Sequence, residues 1–244
     1  MTRTVAVIQA RTGSTRLPGK VLLPLLGEPL LGHVVRRTRA AKLVADVVIA
    51  TTTLPADDPL VELGASIGCE VIRGSEMDLL SRYLVAAHAT GAERVVRITS
   101  DCPLIDPSLI DDVVAALDRD AADYASNSLP PRTYPRGLDT EVVTLAALEA
   151  ADRDDRDPAS REHATPWIRS HPDRFRLVRV AADVDRSAHR WTVDTPEDYE
   201  LVRRIYDALG NGTFGWLEAL AVVEANPAWS DLNRHVEQKH TPGV

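Results

Sequence analysis

The chain has 244 residues, 44% of them hydrophobic and 26% charged, and its formal net charge is −8. This length suits one large α/β domain. The negative charge argues against a general binder of nucleic acid or of acidic membranes, which needs a dominant positive field.

Cysteine and hydrophobicity patterns predict a cytoplasmic protein without a membrane partner. Two cysteines, Cys69 and Cys102, do not suggest a disulfide scaffold and fit a reducing compartment. No apolar run approaches the roughly 20 residues that cross a bilayer. The first apolar run ends early at Gln9 and Arg11, so it lacks the core of a secretory signal.

Apolar runs alternate with amphipathic stretches through the first half of the chain. Unbroken apolar runs are typical of strands covered on both faces, and the alternation predicts a mainly parallel sheet with helical crossovers. Strands are predicted at Thr4–Gln9, 46–50, 70–72, Arg94–Thr99, 138–144, 175–180 and 191–193. Later helices are predicted at 145 onwards, 158–171, Pro196–Leu209 and 214–225, and residues 227–244 read as a polar tail. We expect a single domain over 1–226.

The loop after the first strand, residues 11–20, carries three cations, two glycines and a proline. Ligands gather at the carboxyl ends of strands in open α/β sheets, and glycines let backbone N–H groups approach a phosphate. The loop therefore predicts a nucleoside triphosphate site. It is not a P-loop, because five residues separate Gly13 from Gly19 and Val21 follows Lys20. A solvated basic turn is the alternative interpretation.

Two aspartates follow predicted strands and are candidate ligands for a divalent metal. Asp101 comes directly after the strand that ends at Thr99, and Asp194 follows 191–193. Carboxylate oxygens are ligands that Mg²⁺ prefers. Alternatively, Asp101 organises a turn, and Asp194 or Thr195 caps the next helix. Together with the basic loop, a shared metal site is the better interpretation.

These motifs resemble the cytidylyltransferases of the spore-coat polysaccharide type, which are related to the enzymes that make CMP-sialic acid and CMP-Kdo. The matching segments are RTGSTRLPGK at 11–20, RGSE at 73–76, DLLSRY at 78–83, DCPLI at 101–105, RGLDTE at 136–141, REH at 161–163 and RWTVDTPED at 190–198. The resemblance runs from residue 4 to about residue 206.

The resemblance implies a Rossmann-like, GT-A-like three-layer α/β fold with a mainly parallel mixed sheet. It implies that an acceptor oxygen attacks the α-phosphate of CTP and releases pyrophosphate. By resemblance, Arg11 and Lys20 hold the triphosphate, and Asp101 and Asp194 hold Mg²⁺. It also implies a homodimer, with residues 126–190 as the substrate and dimerisation region.

Further candidates complete the predicted site. The nucleotide site includes Ala10, Gly13, Ser14, Arg16, Arg73 and Ser100 beside Arg11 and Lys20. Asp139 and Glu141, with Arg161 and His163, are candidates for binding the acceptor. Alternatively, the two acids form a solvated strand face or bind a second metal, and Arg161 and His163 lie on a helix surface or a subunit interface. Arg82 is interpreted as a structural ion-pair partner, Trp191 as a core residue and Cys102 as a packed thiol.

Other activities stay open from the residues alone. A glycosyltransferase would keep the metal aspartates but has less need of a triphosphate-binding loop. A non-catalytic nucleotide-binding relative predicts the loss of a loop cation or of an aspartate, and none is lost here. GTP is an alternative donor. Acidic sugars are the expected acceptors, with an amino sugar phosphate or a non-sugar acid as alternatives.

Overall fold

The computed structural model describes residues 2–210 and 212–238. Its strands are β1 (Thr4–Gln9), β2 (Pro24–Leu25), β3 (Glu28–Pro29), β4 (Asp46–Thr52), β5 (Glu70–Gly74), β6 (Arg94–Thr99), β7 (Tyr124–Ser126), β8 (Glu141–Thr144) and β9 (Leu177–Arg179). Its helices are α1 (Leu30–Arg39), α2 (Asp58–Ser66), α3 (Leu79–Thr90), α4 (Pro107–Arg119), α5 (Leu145–Asp154), α6 (Pro158–Arg161), α7 (Pro166–Arg169), α8 (Pro196–Leu209) and α9 (Trp216–Ala225).

Seven of the strands form one mixed sheet in the order β5-β4-β1-β6-β8-β7-β9. The strands β5, β4, β1 and β6 pair in parallel, β8 runs antiparallel to both of its neighbours, and β9 pairs in parallel with β7. The predicted mainly parallel sheet is therefore confirmed. Gln9 pairs with Thr99, so β1 and β6 end at the same level and their following loops meet at one edge.

Helices cover both faces of the sheet, which gives the predicted three layers. Alternate residues of β1 point to opposite faces. Ala6 and Ile8 pack in a cluster with apolar residues of α1, α4 and α8. Val5 and Val7 pack in a second cluster with residues of α3 and α5. Both clusters are closed to solvent, so the sheet is a rigid support for the loops at its edge.

Two predicted elements differ from the structure by more than a few residues at their ends. The predicted helix over 158–171 is two short helices, α6 and α7. Pro166 has no N–H to continue the helical hydrogen bonds, and Ala164 takes a positive φ of 67° between the two helices. The predicted strand at 191–193 is an irregular segment. Its backbone bonds to neighbouring loops, with Trp191 N donating to the Arg136 carbonyl at 2.7 Å and Val193 N to the Asp101 carbonyl at 2.8 Å. Trp191 is fully buried, as predicted.

The chain after α9 packs back onto the domain as far as residue 238. Trp229 and Leu232 lie against the main apolar cluster. Asn233 is buried, and its side-chain amide donates to the Arg190 carbonyl at 2.9 Å and to Asp198 at 2.8 Å. The last six residues of the predicted tail lie outside the described residues. Within the described part of the chain, no helix combines the length and apolar character needed to cross a membrane.

Candidate active site

The loop after β1 is fixed at its start by a buried carboxylate. Asp57 accepts hydrogen bonds from the Thr12 backbone N–H at 2.7 Å, from the Thr12 hydroxyl at 2.8 Å and from the Thr52 hydroxyl. Burial raises the pKa of Asp57, but the hydrogen bonds from Thr52 and Thr12 outweigh it and lower the pKa below its usual value. The sequence reading missed this anchor because Asp57 stands in a proline-containing turn.

The loop closes on itself before it reaches Lys20. The Gly19 N–H donates to the Thr12 carbonyl at 3.0 Å. Gly19 has a φ of 68°, in the left-handed region where a side chain is strained. Its conformation turns the chain into the short 3₁₀ turn Lys20–Leu22. The closure directs Lys20 back toward the sheet edge.

A cavity of about 340 Å³ opens beside this loop at the carboxyl ends of β1 and β6. Ten of the predicted site residues line it: Ala10, Arg11, Gly13, Ser14, Arg16, Lys20, Ser100, Asp101, His163 and Asp194. The structure therefore brings together the basic loop, both aspartates and one acceptor candidate. Glu162, a neighbour of His163 in the same predicted motif, also lines the cavity. The structure adds residues that the sequence did not assign to the site: Gln9, Thr15, Glu76, Leu79, Arg82 and Thr99.

Lys20 joins the two aspartates. Its Nζ donates to Asp101 Oδ2 and to Asp194 Oδ1, both at 2.8 Å, and only 8% of the residue is exposed. Burial lowers the pKa of the Lys20 ammonium, but the two carboxylates outweigh burial and raise it above its usual value. For Asp101, burial raises the pKa, but Lys20 lowers it below its usual value. Lys20 and Asp101 are thus charged at neutral pH, and Lys20 is in contact with both carboxylates.

Asp194 is also held by two arginines. Its Oδ2 forms an ion pair with Arg16 Nη2 at 3.0 Å and accepts a hydrogen bond from Arg190 Nη2 at 2.8 Å. Arg190 is buried, and its Nε donates to Asp198 Oδ1 at 2.9 Å. The sequence did not assign Arg190 to the site. The sequence signal that could have identified Arg190 was its position in the segment that leads to Asp194.

Arg82 lines the cavity, although from the sequence it is interpreted as a structural ion-pair partner. It is 5% exposed, and its Nε and Nη1 are buried without a hydrogen-bond partner among the described residues. Burial, together with the nearby Arg11, lowers the pKa of Arg82. The predicted structural ion pair is not present in the described part of the chain. A buried guanidinium that lines a cavity without a partner is suited to an anionic ligand.

Four predicted residues do not line this cavity. Arg73 donates to the Thr52 and Leu54 carbonyls at 2.8 and 2.9 Å and pairs with Asp58. Arg161 pairs with Asp78 and Asp152, both at 2.6 Å.

The other two are the acids predicted to share a strand face. Asp139 lies before β8 and pairs with Arg132. Glu141 is 5% exposed and accepts from Arg97, from the Tyr124 hydroxyl at 2.8 Å and from the Thr165 hydroxyl at 2.6 Å. Burial raises the pKa of Glu141, but Arg97 and the other donors lower it below its usual value. This acid is enclosed in the core, so the alternative of a solvated strand face is wrong for it.

His163 lies in the cavity beside Glu162, which is 3.9 Å from Arg11. Burial lowers the pKa of His163, and Arg97 lowers it further. The imidazole is therefore neutral at pH 7 and can both donate and accept a hydrogen bond.

The chain has a Rossmann-like three-layer α/β fold, with cations and paired carboxylates at the edge where the parallel strands β1 and β6 end. This architecture is that of a nucleotidyltransferase. A family model described as cytidylyltransferase matches residues 5–228. The chain belongs to the cytidylyltransferase family and is a nucleotidyltransferase.

Individual relatives agree with this assignment. A cytidylyltransferase structure from Leptospira borgpetersenii serovar Hardjo-bovis is 34% identical, covers 98% of this chain and 100% of its own, and superposes with a TM-score of 0.90. The spore coat polysaccharide biosynthesis protein SpsF of Bacillus subtilis is 36% identical over 84% of this chain and 86% of its own length. A CMP:2-keto-3-deoxy-manno-octonic acid synthetase complexed with CTP shares the fold at 22% identity and a TM-score of 0.65, covering 85% of this chain and 99% of its own.

Proposed function

We propose that this protein transfers CMP from CTP to an acidic sugar or a similar small acceptor and releases pyrophosphate. The observation that carries the proposal is the contact of Lys20 with both Asp101 and Asp194 at the floor of a cavity lined by further cations. In the reaction, an acceptor oxygen forms a bond to the α-phosphorus, and the bond from that phosphorus to the bridging oxygen breaks. The proton of the acceptor hydroxyl passes to water, and the electron pair of the broken bond leaves with pyrophosphate.

The cations of the cavity suit the triphosphate. Arg11 is about half exposed and has a single weak ion pair, so it can turn to a ligand at low cost. Arg82 and Lys20 are buried, and Arg16 of the loop pairs with Asp194. Displacement at phosphorus depends mainly on positioning and charge neutralisation. These four side chains supply both for the leaving pyrophosphate.

The two aspartates fit a divalent cation. They converge on a single ammonium group, which shows that the position favours positive charge. The described residues contain no cluster of three or more His, Cys, Asp or Glu that could hold a metal without help. That donor set suits Mg²⁺, which takes one or two carboxylates and completes its shell with water and phosphate oxygens. Asp101 and Asp194 would hold the ion, and a bound Mg²⁺ would polarise the α-phosphate.

His163 and Glu162 are proposed to contact the acceptor. They come from the turn between α6 and α7 and line the cavity, with Glu162 at 3.9 Å from Arg11. A neutral His163 can accept a hydrogen bond from an acceptor hydroxyl. Asp139, Glu141, Arg161 and Arg73 are given no contact with substrate in this proposal, because each is held by partners outside the cavity.

The segment 126–190 is also proposed to join two copies of the chain. The seven-stranded sheet ends at β9, which lies in this segment and pairs on one side only with β7. An exposed strand edge is a template for pairing with another chain. Size-exclusion chromatography with light scattering is expected to give the mass of a dimer. A monomer at micromolar concentration would remove this part of the proposal.

The donor and the reaction are tested together. Thermal shifts are measured with CTP, GTP, ATP and UTP, each with and without Mg²⁺, and pyrophosphate release is measured with a panel of acidic sugars. CTP with Mg²⁺ is expected to give the largest shift, because a ligand of the native state raises the melting temperature. A larger shift with GTP, or stabilisation by nucleotide sugars alone, would contradict the proposed donor.

A matched pair of variants tests the role of Asp101. Asp101→Asn removes a carboxylate with little change in volume and is expected to lower pyrophosphate release about 100-fold or more. Asp173→Asn makes the same change at an exposed position and should leave the rate unchanged. Near-normal activity of Asp101→Asn would remove Asp101 from the metal site.

A further inference from the structure

A second cavity is linked to the candidate active site by the contact between Arg190 and Asp194. Its volume is about 380 Å³, within the roughly 300–1,000 Å³ range of small-molecule pockets. It is formed by the segment that leads to Asp194, by α8 and α9 and by the chain that follows α9. Arg190 lines this second cavity, and its Nη2 donates to Asp194, which lines the first.

The lining of the second cavity is positively charged. Arg136, Arg190 and Arg234 contribute to it, and no Asp or Glu is among the described residues that line it. This is notable in a chain whose net charge is −8. Arg234 pairs with Asp231 at 2.8 Å, and Arg190 is balanced by Asp194 and Asp198.

Arg136 has no such balance. Its guanidinium donates no hydrogen bond and forms no ion pair with any residue in 2–210 or 212–238. Burial lowers its pKa and the charges of Arg132 and Arg190 lower it further, and the opposing effect of Asp139 offsets this only in part. A half-buried guanidinium beside other cations is costly unless an anion joins it.

A second polar group of the cavity is also without a partner. Trp191 lines the cavity and is fully buried, and its Nε1 finds no acceptor in the described part of the chain. Buried N–H donors are nearly always paired in folded proteins. Leu201 and Val223 supply apolar walls near these groups. Cations, an unpaired donor and apolar walls together are suited to an oxyanion attached to an apolar or ring-shaped body.

We propose that the second cavity binds a small organic oxyanion, a carboxylate or a phosphate group on a ring, as an effector of the active site. The anion pairs with Arg136 and accepts from Trp191. Its effect passes through Arg190, whose Nη1 donates to Gln238 at 2.6 Å and whose Nη2 donates to Asp194 at 2.8 Å. An anion that competes for Nη1 shifts the guanidinium and so the position of Asp194. The effector role rests on the proposed function of Asp194; binding in the cavity does not.

Binding is tested by calorimetry on the whole protein without nucleotide, with benzoate and phenylphosphonate as the two probes. At least one probe is expected to bind, and the stronger one identifies the carboxylate or the phosphate class. Arg136→Gln is expected to weaken binding about 10-fold. Arg132→Gln is the matched control, since Arg132 pairs with Asp139 and does not line the cavity. Lys20→Met, in the first cavity, should bind the probe normally.

Three outcomes would overturn the site: no binding of either probe, equal binding by Arg136→Gln, or binding that is lost in Lys20→Met. The effector role is tested separately, by the affinity for CTP with the probe absent and present. Coupled sites change each other's affinity by about 5- to 150-fold. We expect a change of at least 5-fold in the wild type and none in Arg136→Gln; an unchanged affinity in the wild type would overturn the effector role.

Discussion

Replacing Lys20 by methionine tests the charge balance at the centre of the site. Methionine nearly matches the length of lysine but carries no charge, so the variant leaves Asp101 and Asp194 without their shared ammonium. Asp194 keeps Arg16 and Arg190. Asp101 has no other ion-pair partner among residues 2–210 and 212–238, so the loss falls mainly on Asp101.

The size of the effect follows from the burial of the group. Removing one partner of a buried ion pair costs about 3–5 kcal/mol. The Asp101 side chain is 23% exposed, so water compensates part of the loss. We therefore expect the free energy of unfolding at pH 7 to fall by about 2 kcal/mol, below the range for fully buried pairs.

The stability lost in Lys20→Met should depend on pH in a defined direction. The pKa of Asp101 is lowered from its usual 3.8, so its stabilising contribution is present above that pH and is lost as the pH falls through the folded value. The pKa of Lys20 is raised from its usual 10.5, so its contribution is present below that pH and is lost above the folded value. The difference between wild type and variant should be greatest between these limits and should shrink in acid.

Urea unfolding from pH 3 to pH 8 measures the difference, with the exposed Lys42→Met as control. A second measurement uses Mg²⁺ or Mn²⁺ without nucleotide. Lys20→Met should gain a larger thermal shift from either ion than the wild type, because the ammonium no longer occupies the two carboxylates. Equal stability of Lys20→Met and wild type at pH 7, or a difference that persists unchanged at pH 3, would refute this account of the site.

Three further substitutions have clear expected outcomes. Glu141→Gln should lower the free energy of unfolding by about 3–5 kcal/mol, because it breaks the buried pair with Arg97, and the KM for CTP should stay unchanged. A raised KM with normal stability would make Glu141 a substrate ligand. His163→Gln should raise the KM for the acceptor and leave the thermal shift with CTP unaltered; the reverse pattern would place His163 at the nucleotide. Gly137→Ala should lower the free energy of unfolding by about 3 kcal/mol or more, because φ is 101° and the new Cβ would lie 2.5 Å from the Thr192 nitrogen. Unfolding of this variant at the wild-type urea midpoint would contradict the contact.

The sequence predicted the site best where hydrophobic patterning positions the chain. The strands β1 and β6 are apolar runs in parallel register, so the loop after β1 and Asp101 had to emerge at the same edge. The helix α8 begins and ends where its pattern and cap residues predicted, at Pro196 and Leu209. Patterning also placed Trp191 in the core, although the segment around it forms no strand.

Patterning does not decide which cation of a segment faces a cavity. The sequence predicts a nucleotide contact for Arg73 and an ion pair for Arg82, but in the structure Arg73 pairs with Asp58 outside the cavity and Arg82 lines the cavity. Arg73 lies on β5, the edge strand, and reaches back to carbonyls at the end of β4. Arg82 lies three residues after Leu79, and both line the cavity. The helical i, i+3 spacing was a usable signal, but the unpaired state of Arg82 depends on packing that no local pattern contains.

The capping of α8 by Thr195 is observed, and it is compatible with the proposed role of Asp194 as a metal ligand. Thr195 caps α8 by accepting from the Asp198 N–H, and Asp198 accepts in return from the Thr195 N–H at 3.1 Å. The same Asp198 carboxylate accepts from the Asp194 N–H at 3.0 Å and from Arg190 Nε at 2.9 Å. Arg190 then holds the Asp194 carboxylate. The helix cap is therefore the support that orients the proposed metal ligand, so a capping motif next to a candidate ligand is no argument against the ligand.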